Sequence, residues 1–339
     1  MKTFDYERAT DARTAARLLA DRPGSMLLAG GTNLVDLMKL DVEQPEALVD
    51  VDRVDFGGIE ALPDGGLRIG AGVRNSDLAA DPLVRTRYPV LANALLSAAS
   101  GQLRNRASTA GNLLQRTRCV YFMDMSKPCN KHAPGSGCPA ITGLSRELAI
   151  LGVSEHCIAT YPGDMAVALS ALDARIRFET IDGESTLPID DFYRLPGDRP
   201  ELDTTLPAGA VITAVEVPGL PFGGASLYRK ARDRRSYAFA LVSVAAALDV
   251  EDGRVRDVRL ALGGVAHKPW RARAAEDALR GGPATAEAFV AAAEIELAAA
   301  TPTEQNAFKV ELAVRLIAGA LDELAGRAAP AADTEGAAR

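Results

Sequence analysis

Four cysteines, Cys119, Cys129, Cys138 and Cys157, fall within one stretch of a 339-residue chain, a clustering that asks for a shared reason. Nine residues separate the first pair, eight the second and eighteen the third, and Pro128, Pro134, Gly135, Gly137 and Pro139 lie among them. The stretch is too broken for a helix or a long strand, so a loop is expected. Four soft ligands suit tetrahedral zinc or a [4Fe-4S] cubane. The tight C-x2-C pairs usual for zinc are absent. Arg116, Arg118, Lys127, Lys131 and His132 lie alongside to offset the charge of a thiolate cluster, and His132 and His156 add further ligands or donors. Spacing alone leaves two disulfides or four unrelated buried thiols open.

The rest of the chain has the composition of a globular protein, 47% hydrophobic, with material for a sizeable core. A net charge of −7 argues against a nucleic-acid partner, whose phosphates ask for a basic face, and nothing suggests membrane insertion. The start shows no apolar export segment, which predicts a cytoplasmic protein, or a periplasmic one carried out by a signal-bearing partner. Thr10 is expected to cap an alanine-rich helix to about residue 21, followed by a strand over 25–29 and a helix from Leu34 to Met38. Short strands are expected at 47–51, 58–62 and 67–71, and helices from Ser76 and over 90–99. Beyond the cysteines come a helix at 164–171, a hairpin of 174–180 with 184–187, and a strand at 211–217. The Pro/Gly run from Pro218 to Gly224 marks a boundary. Three antiparallel strands follow at 226–230, 238–250 and 255–263, then helices at 272–280, 285–299 and 308–325. The tail, 328–339, reads as disordered.

Two glycine-containing loops are candidate binding elements. Gly30, Gly31 and Thr32 follow a buried strand, where bare amides can approach a phosphate and the next helix can add positive potential. The run is not G-x-G-x-x-G, although Asp50 and Asp52 lie where that fingerprint expects an acid. A ligand-free tight turn is the plainer reading. Ser108, Thr109, Ala110, Gly111 and Asn112 form a second loop of similar character, and the two can grip one pyrophosphate. Asp164 is expected either to cap its helix or to bond a ribose or a cofactor ring. Lys230 is expected either to be solvated or to place charge near a flavin carbonyl. No Ser/His/Asp set supports hydrolysis.

Taken in order, Leu27 to Leu34, Arg104 to Asn112, the run Tyr161-Pro162-Gly163-Asp164-Met165-Ala166, the run Tyr228-Arg229-Lys230, and Gly263 to Arg271 resemble the FAD-binding subunits of the xanthine dehydrogenase and aldehyde oxidoreductase family of molybdenum hydroxylases. The likeness covers nearly the whole chain. The cysteine-bearing insertion is similar to that of the flavin subunit of bacterial periplasmic aldehyde oxidoreductases and, less closely, of 4-hydroxybenzoyl-CoA reductase. The resemblance implies an α+β fold: a two-lobed FAD-binding domain of the vanillyl-alcohol oxidase (PCMH) type over 1–222, with a [4Fe-4S] insertion at about 115–160, and a C-terminal domain of three strands and helices over 223–327. It implies that Met26, Leu27, Leu28, Ala29, Gly30, Gly31, Thr32, Asn33 and Leu34 wrap the FAD pyrophosphate and that Ser108, Thr109, Ala110, Gly111 and Asn112 complete the cradle. Asp164, Ile212 and Lys230 would border the cofactor, and Cys119, Cys129, Cys138 and Cys157 would ligate the cluster. Ala110 departs from the family's usual glycine. The implied partners are a large molybdopterin-binding subunit, a small [2Fe-2S] subunit and an external electron acceptor, with no catalysis by this chain alone. The competing expectations are a flavin subunit of an aryl-CoA reductase and, outside enzymes, a zinc-stabilised interaction protein.

Overall fold

The computed structural model describes residues 1–328, arranged as three sheets with helices between them. Strands β1 (Asp5–Arg8), β2 (Ser25–Leu28) and β3 (Ala47–Asp50) form a small parallel sheet in the order β1-β3-β2. β1 was not expected: its Asp-Tyr-Glu-Arg sequence carries no apolar alternation, and only pairing with the fully buried β3 makes it a strand. Helix Ala12–Asp21 is capped by Asp11, whose carboxylate accepts the Thr14 N–H at 2.7 Å, rather than by the expected Thr10. Its Ala15 and Ala16 pack on Val49, Val51 and Val211.

The second lobe is an antiparallel sheet of β4 (Ile59–Ala61), β5 (Leu67–Gly70), β6 (Arg175–Thr180), β7 (Gly183–Pro188) and β8 (Val211–Val217), in the order β4-β5-β8-β6-β7. Helices Pro89–Ser97 and Asp164–Ala171 share its core with Leu67, Ile69 and Val215. Ser76, expected to cap a short helix, lies inside it: the helix is Asn75–Ala80 with Arg74 at its N-cap position, and an unforeseen helix, Pro82–Arg87, is capped by the Asp81 carboxylate. Strand β8 is buried except at Glu216, which pairs with Arg177; Val215 lies in this core while Val211 packs in the first lobe.

The C-terminal sheet holds β9 (Ser226–Ala231), β10 (Val242–Glu251), β11 (Arg254–Gly263) and β12 (Trp270–Arg271). It therefore has four strands instead of three; β12 is two residues long, too short to be read from pattern. Strand β10 begins at Val242 and not near 238, because residues 232–241 form a loop. Side chains alternate along β10: Val244 and Ala246 face helices Arg273–Leu279, Ala286–Leu297 and Phe308–Ala328, while Ala245 faces helix Asp164–Ala171 of the second lobe. That helix is thus buried along its whole length between two sheets. The last helix runs to Ala328, three residues past its expected end, and the rest of the expected disordered tail lies outside the described residues.

Between residues 115 and 163 the chain holds only the short turns of helix Val120–Met123 and Pro139–Ile141, as its Gly/Pro content requires. Cys119, Phe122, Leu148, Cys157 and Ile158 make a small core of their own, closed on one side by Leu37 and Val42.

Candidate cofactor site

A groove runs between the first two lobes, bordered by Met26, Leu27 and residues 29–34 on one wall and by Ser108, Ala110 and Gly111 on the other, with Ile212 also lining it. Its volume is about 560 Å³. A second compartment of about 720 Å³ continues from it, sharing Gly31, Thr32, Asn33 and Gly111, and is bordered by Asn112, Asp164 and Lys230. Sites for small molecules and cofactors commonly span about 300–1,000 Å³, and each compartment lies in that range; joined through shared residues, they suit an elongated ligand.

The two glycine loops touch. An added Cβ on Gly30 would strike the Arg106 carbonyl and lie 2.7 Å from its carbon, so only glycine lets the first loop pass the second. Gly31 adopts φ 74°, the left-handed region that turns the chain out of β2. Among the described residues, the amides of Gly30, Gly31, Thr32 and Asn33 donate to no protein acceptor. Ser25 Oγ, Asn33 Nδ2 and Asn75 Nδ2, all bordering the cavities, are buried polar atoms without partners. Buried donors left unpaired are costly unless a ligand or water satisfies them. Helix Leu34–Lys39 is only six residues long, so the free amides, not a helix dipole, are what this loop offers to phosphate.

The second loop is pinned from behind. Thr109 and Ala110 donate their amides to Val73 O and Ala71 O at 2.9 and 3.0 Å, and Ser108 Oγ accepts from the Gly111 N–H at 3.2 Å. Asn112 Nδ2 donates to Asn75 Oδ1 at 2.8 Å. Two expected residues do not reach either cavity: Thr109 is fully buried with its hydroxyl bonded to Val73 O, and Leu28 leans on the Gly31 turn. Ala110 borders the groove.

Asp164 does not cap its helix, which Gly163 begins without a side-chain cap. Its carboxylate instead takes Lys230 Nζ at 2.7 Å and the Tyr228 hydroxyl at 2.5 Å, with the Asp164 and Lys230 side chains 4% and 3% exposed. Tyr228 and Lys230 are two apart on β9, hence on one face. Burial pushes the Asp164 carboxyl up while Lys230 and Tyr228 hold it down, with the net effect upward; burial and the Asp164 charge push the Tyr228 hydroxyl well above its ordinary range. Lys230 is therefore a buried, partnered cation at the cavity wall, not a solvated strand residue. Arg74, which ties Asp52 to Arg106 O with two bonds of 2.8 Å, was missed, since an arginine before a short helix carries no pattern.

All four cysteines are free thiols and line one small cavity with Tyr121, Phe122, Lys131 and His156. Burial pushes the Cys157 thiol up to about 12 against the pull of Lys131, and raises Cys119 and Cys138 as well. Metal ligation by such raised thiols would release protons. Of the five basic residues expected to offset a cluster, only Lys131 lines this cavity; His132 stacks on Phe122 at 4.6 Å, and Arg118 turns to Asp36. Among the described residues, no three or more His, Cys, Asp or Glu side chains converge as ligands of a metal ion. The cavity that the four thiols share has a volume of about 10 Å³.

Residues 2–220 match the FAD binding domain in molybdopterin dehydrogenase, and residues 226–333 match the CO dehydrogenase flavoprotein C-terminal domain. The chain belongs to this family of FAD-binding subunits. This flavin subunit is 52% identical to the aldehyde oxidoreductase FAD-binding subunit PaoB of Escherichia coli over 97% of its length and 100% of the relative. It is 27% identical to the glyceraldehyde dehydrogenase medium chain of Sulfolobus acidocaldarius over 80% and 79% of the two chains. Carbon monoxide dehydrogenase from Hydrogenophaga pseudoflava has the same fold, with a TM-score of 0.75, 27% identity and coverage of 96% of this chain and 98% of that one. FAD is thus the cofactor to be tested against the groove, and the unpaired amides, the three unpartnered polar atoms and the glycine contact fit it. Among the described residues no helix of the subunit is long and apolar enough to cross a membrane.

Proposed function

We propose that this subunit carries FAD and a [4Fe-4S] cluster within a heterotrimeric molybdenum-dependent aldehyde oxidoreductase. Electrons would arrive from a large molybdopterin-binding and a small [2Fe-2S] subunit and leave to an external acceptor. The observation that carries this is the continuous pair of compartments, with free amides where they meet and the Lys230–Asp164 pair lining the second. When bound, FAD supplies the capacity to collect single electrons and release them singly or in pairs.

The chain's own residues bind and orient. The amides of residues 30–33 and the Gly111 turn would hold the pyrophosphate, Ser25 and Asn33 would donate to the cofactor's polar groups, and Lys230, paired with Asp164, would set positive potential beside the cofactor. Cys119, Cys129, Cys138 and Cys157 would hold the cluster, with Lys131 offsetting its charge. The aldehyde assignment rests on the 52% identity to PaoB and on the second relative named for an aldehyde substrate. The chain would not act on substrate alone, and would work in the cytoplasm or, co-exported with a partner, in the periplasm.

Mixing an aldehyde anaerobically with this subunit, with and without its large and small partners, tests the proposal. Flavin bleaching only with both partners present is expected. Bleaching with this subunit alone, or none in the assembled complex, would refute it.

A further inference from the structure

The four-thiol cavity and the glycine-loop groove are joined by one chain of charged side chains. Arg116 borders the groove, and its backbone N–H holds Asn33 Oδ1 at 3.0 Å, fixing the turn that presents the free amides. Its guanidinium lies 4.9 Å over the Phe122 ring in the cysteine-loop core. Arg116 Nε makes an ion-pair contact of 2.5 Å with Asp203 Oδ2, off the hydrogen-bond direction. The other oxygen of Asp203 takes Lys131 Nζ at 2.5 Å, and Lys131, with its side chain 1% exposed, forms part of the wall of the thiol cavity. Lys131 Nζ also donates to Pro200 O at 2.7 Å, so its position is set from two sides.

Burial pushes the Asp203 carboxyl up, but Lys131, Arg116 and His267 outweigh it and hold the group below its ordinary range. Asp203 is accordingly a fixed anion between two cations, one at each site. Nothing in the cofactor assignment requires this link.

We propose that Arg116, Asp203 and Lys131 form a strap coupling the two sites, with Asp203 as the positioning residue. An anionic cluster on the thiols would fix the Lys131 ammonium between itself and Asp203, Asp203 and Glu43 hold the Arg116 guanidinium, and the Arg116 backbone N–H holds the Asn33 turn. Thiol occupancy then sets FAD affinity and, by linkage, FAD sets metal retention by the same factor. The inference rests on the reading that the groove takes FAD and the thiols an iron-sulfur cluster.

The test measures the FAD dissociation constant of the full-length chain by flavin fluorescence, with iron in place and after chelation, for wild type and Asp203→Asn. Removing iron should weaken FAD binding roughly tenfold in wild type. Asp203→Asn should bind FAD as the iron-free wild type does, whether or not it holds iron. A merely structural role for Asp203 predicts a changed melting temperature but the same iron dependence. Arg116→Gln, which keeps the backbone bond to Asn33 and cuts the strap, should lose the coupling likewise and decides the matter where Asp203→Asn does not fold. Wild-type FAD affinity indifferent to iron, or undiminished coupling in the folded variants, overturns the strap alone. A wild-type chain that takes up no flavin or no iron overturns the underlying reading as well.

Discussion

Replacing Gly30 with alanine places a methyl group against the Arg106 carbonyl, with the carbonyl carbon 2.7 Å away and Ala107 Cα 3.3 Å away. Every atom it meets is backbone, and that backbone is tied by Arg74 to Asp52 and by Ala107 O to the Asn75 N–H, so it cannot swing aside as a flexible side chain would. The loops must separate, and overpacking of this kind costs about 1–3 kcal/mol. The strain falls on the amides of residues 30–33. If about 2 kcal/mol is taken from cofactor binding, FAD affinity drops roughly 30-fold. Titration of the apoprotein with FAD, followed by fluorescence, reads this directly. Gly101→Ala is the control, because its added Cβ meets nothing within 4 Å and it lies in a helix, where alanine is favoured. Unchanged FAD affinity in Gly30→Ala, with the control also unchanged, would refute the placement of the cofactor between the loops.

Three other outcomes follow from Lys230, Lys309 and Cys129. Lys230→Met leaves the Asp164 carboxylate buried without its cation and should cost about 3 kcal/mol in urea unfolding, much of it recovered by adding Asp164→Asn; equal loss in both variants would show that the pair is not what is lost. Lys309 is fully buried, donates to Leu148 O and Gly264 O, and is pushed down to about 7 by burial. The unfolded chain keeps that proton to about 10.4, so more protons are bound unfolded between these values and stability from this group rises with pH across that window. Relative to wild type, Lys309→Met should lose that rise when unfolding midpoints are compared at pH 6.5, 8 and 9. Cys129→Ser should lose iron and make the loop between residues 115 and 160 susceptible to proteolysis; retained iron with an intact loop would remove Cys129 from the ligand set.

Much of this architecture was legible because it obeys short-range rules. Strand β8 has the bounds its apolar run predicts, and the Gly30 turn, the cysteine loop and the C-terminal helices lie where pattern and punctuation put them. What escaped reading depended on distant partners. Polar β1 is a strand because β3 lies beside it, and β12 because β11 does. Asp164 looked like a cap, yet its carboxylate is claimed by Lys230 and Tyr228, 66 and 64 residues away. Lys131 resembled its basic neighbours, and only the fold separates it from them by placing Asp203 beside it. Local sequence reports which backbone is possible, whereas the destination of a charged side chain is set by the tertiary structure.

The central claim is that one chain carries a flavin in the groove and a cluster on the thiols, and the visible spectrum of the anaerobically purified protein, with flavin, iron and sulfide quantified per chain, tests it most directly. One FAD with about four irons and four sulfides is the predicted result. Zinc without flavin, in a colourless protein, would contradict it.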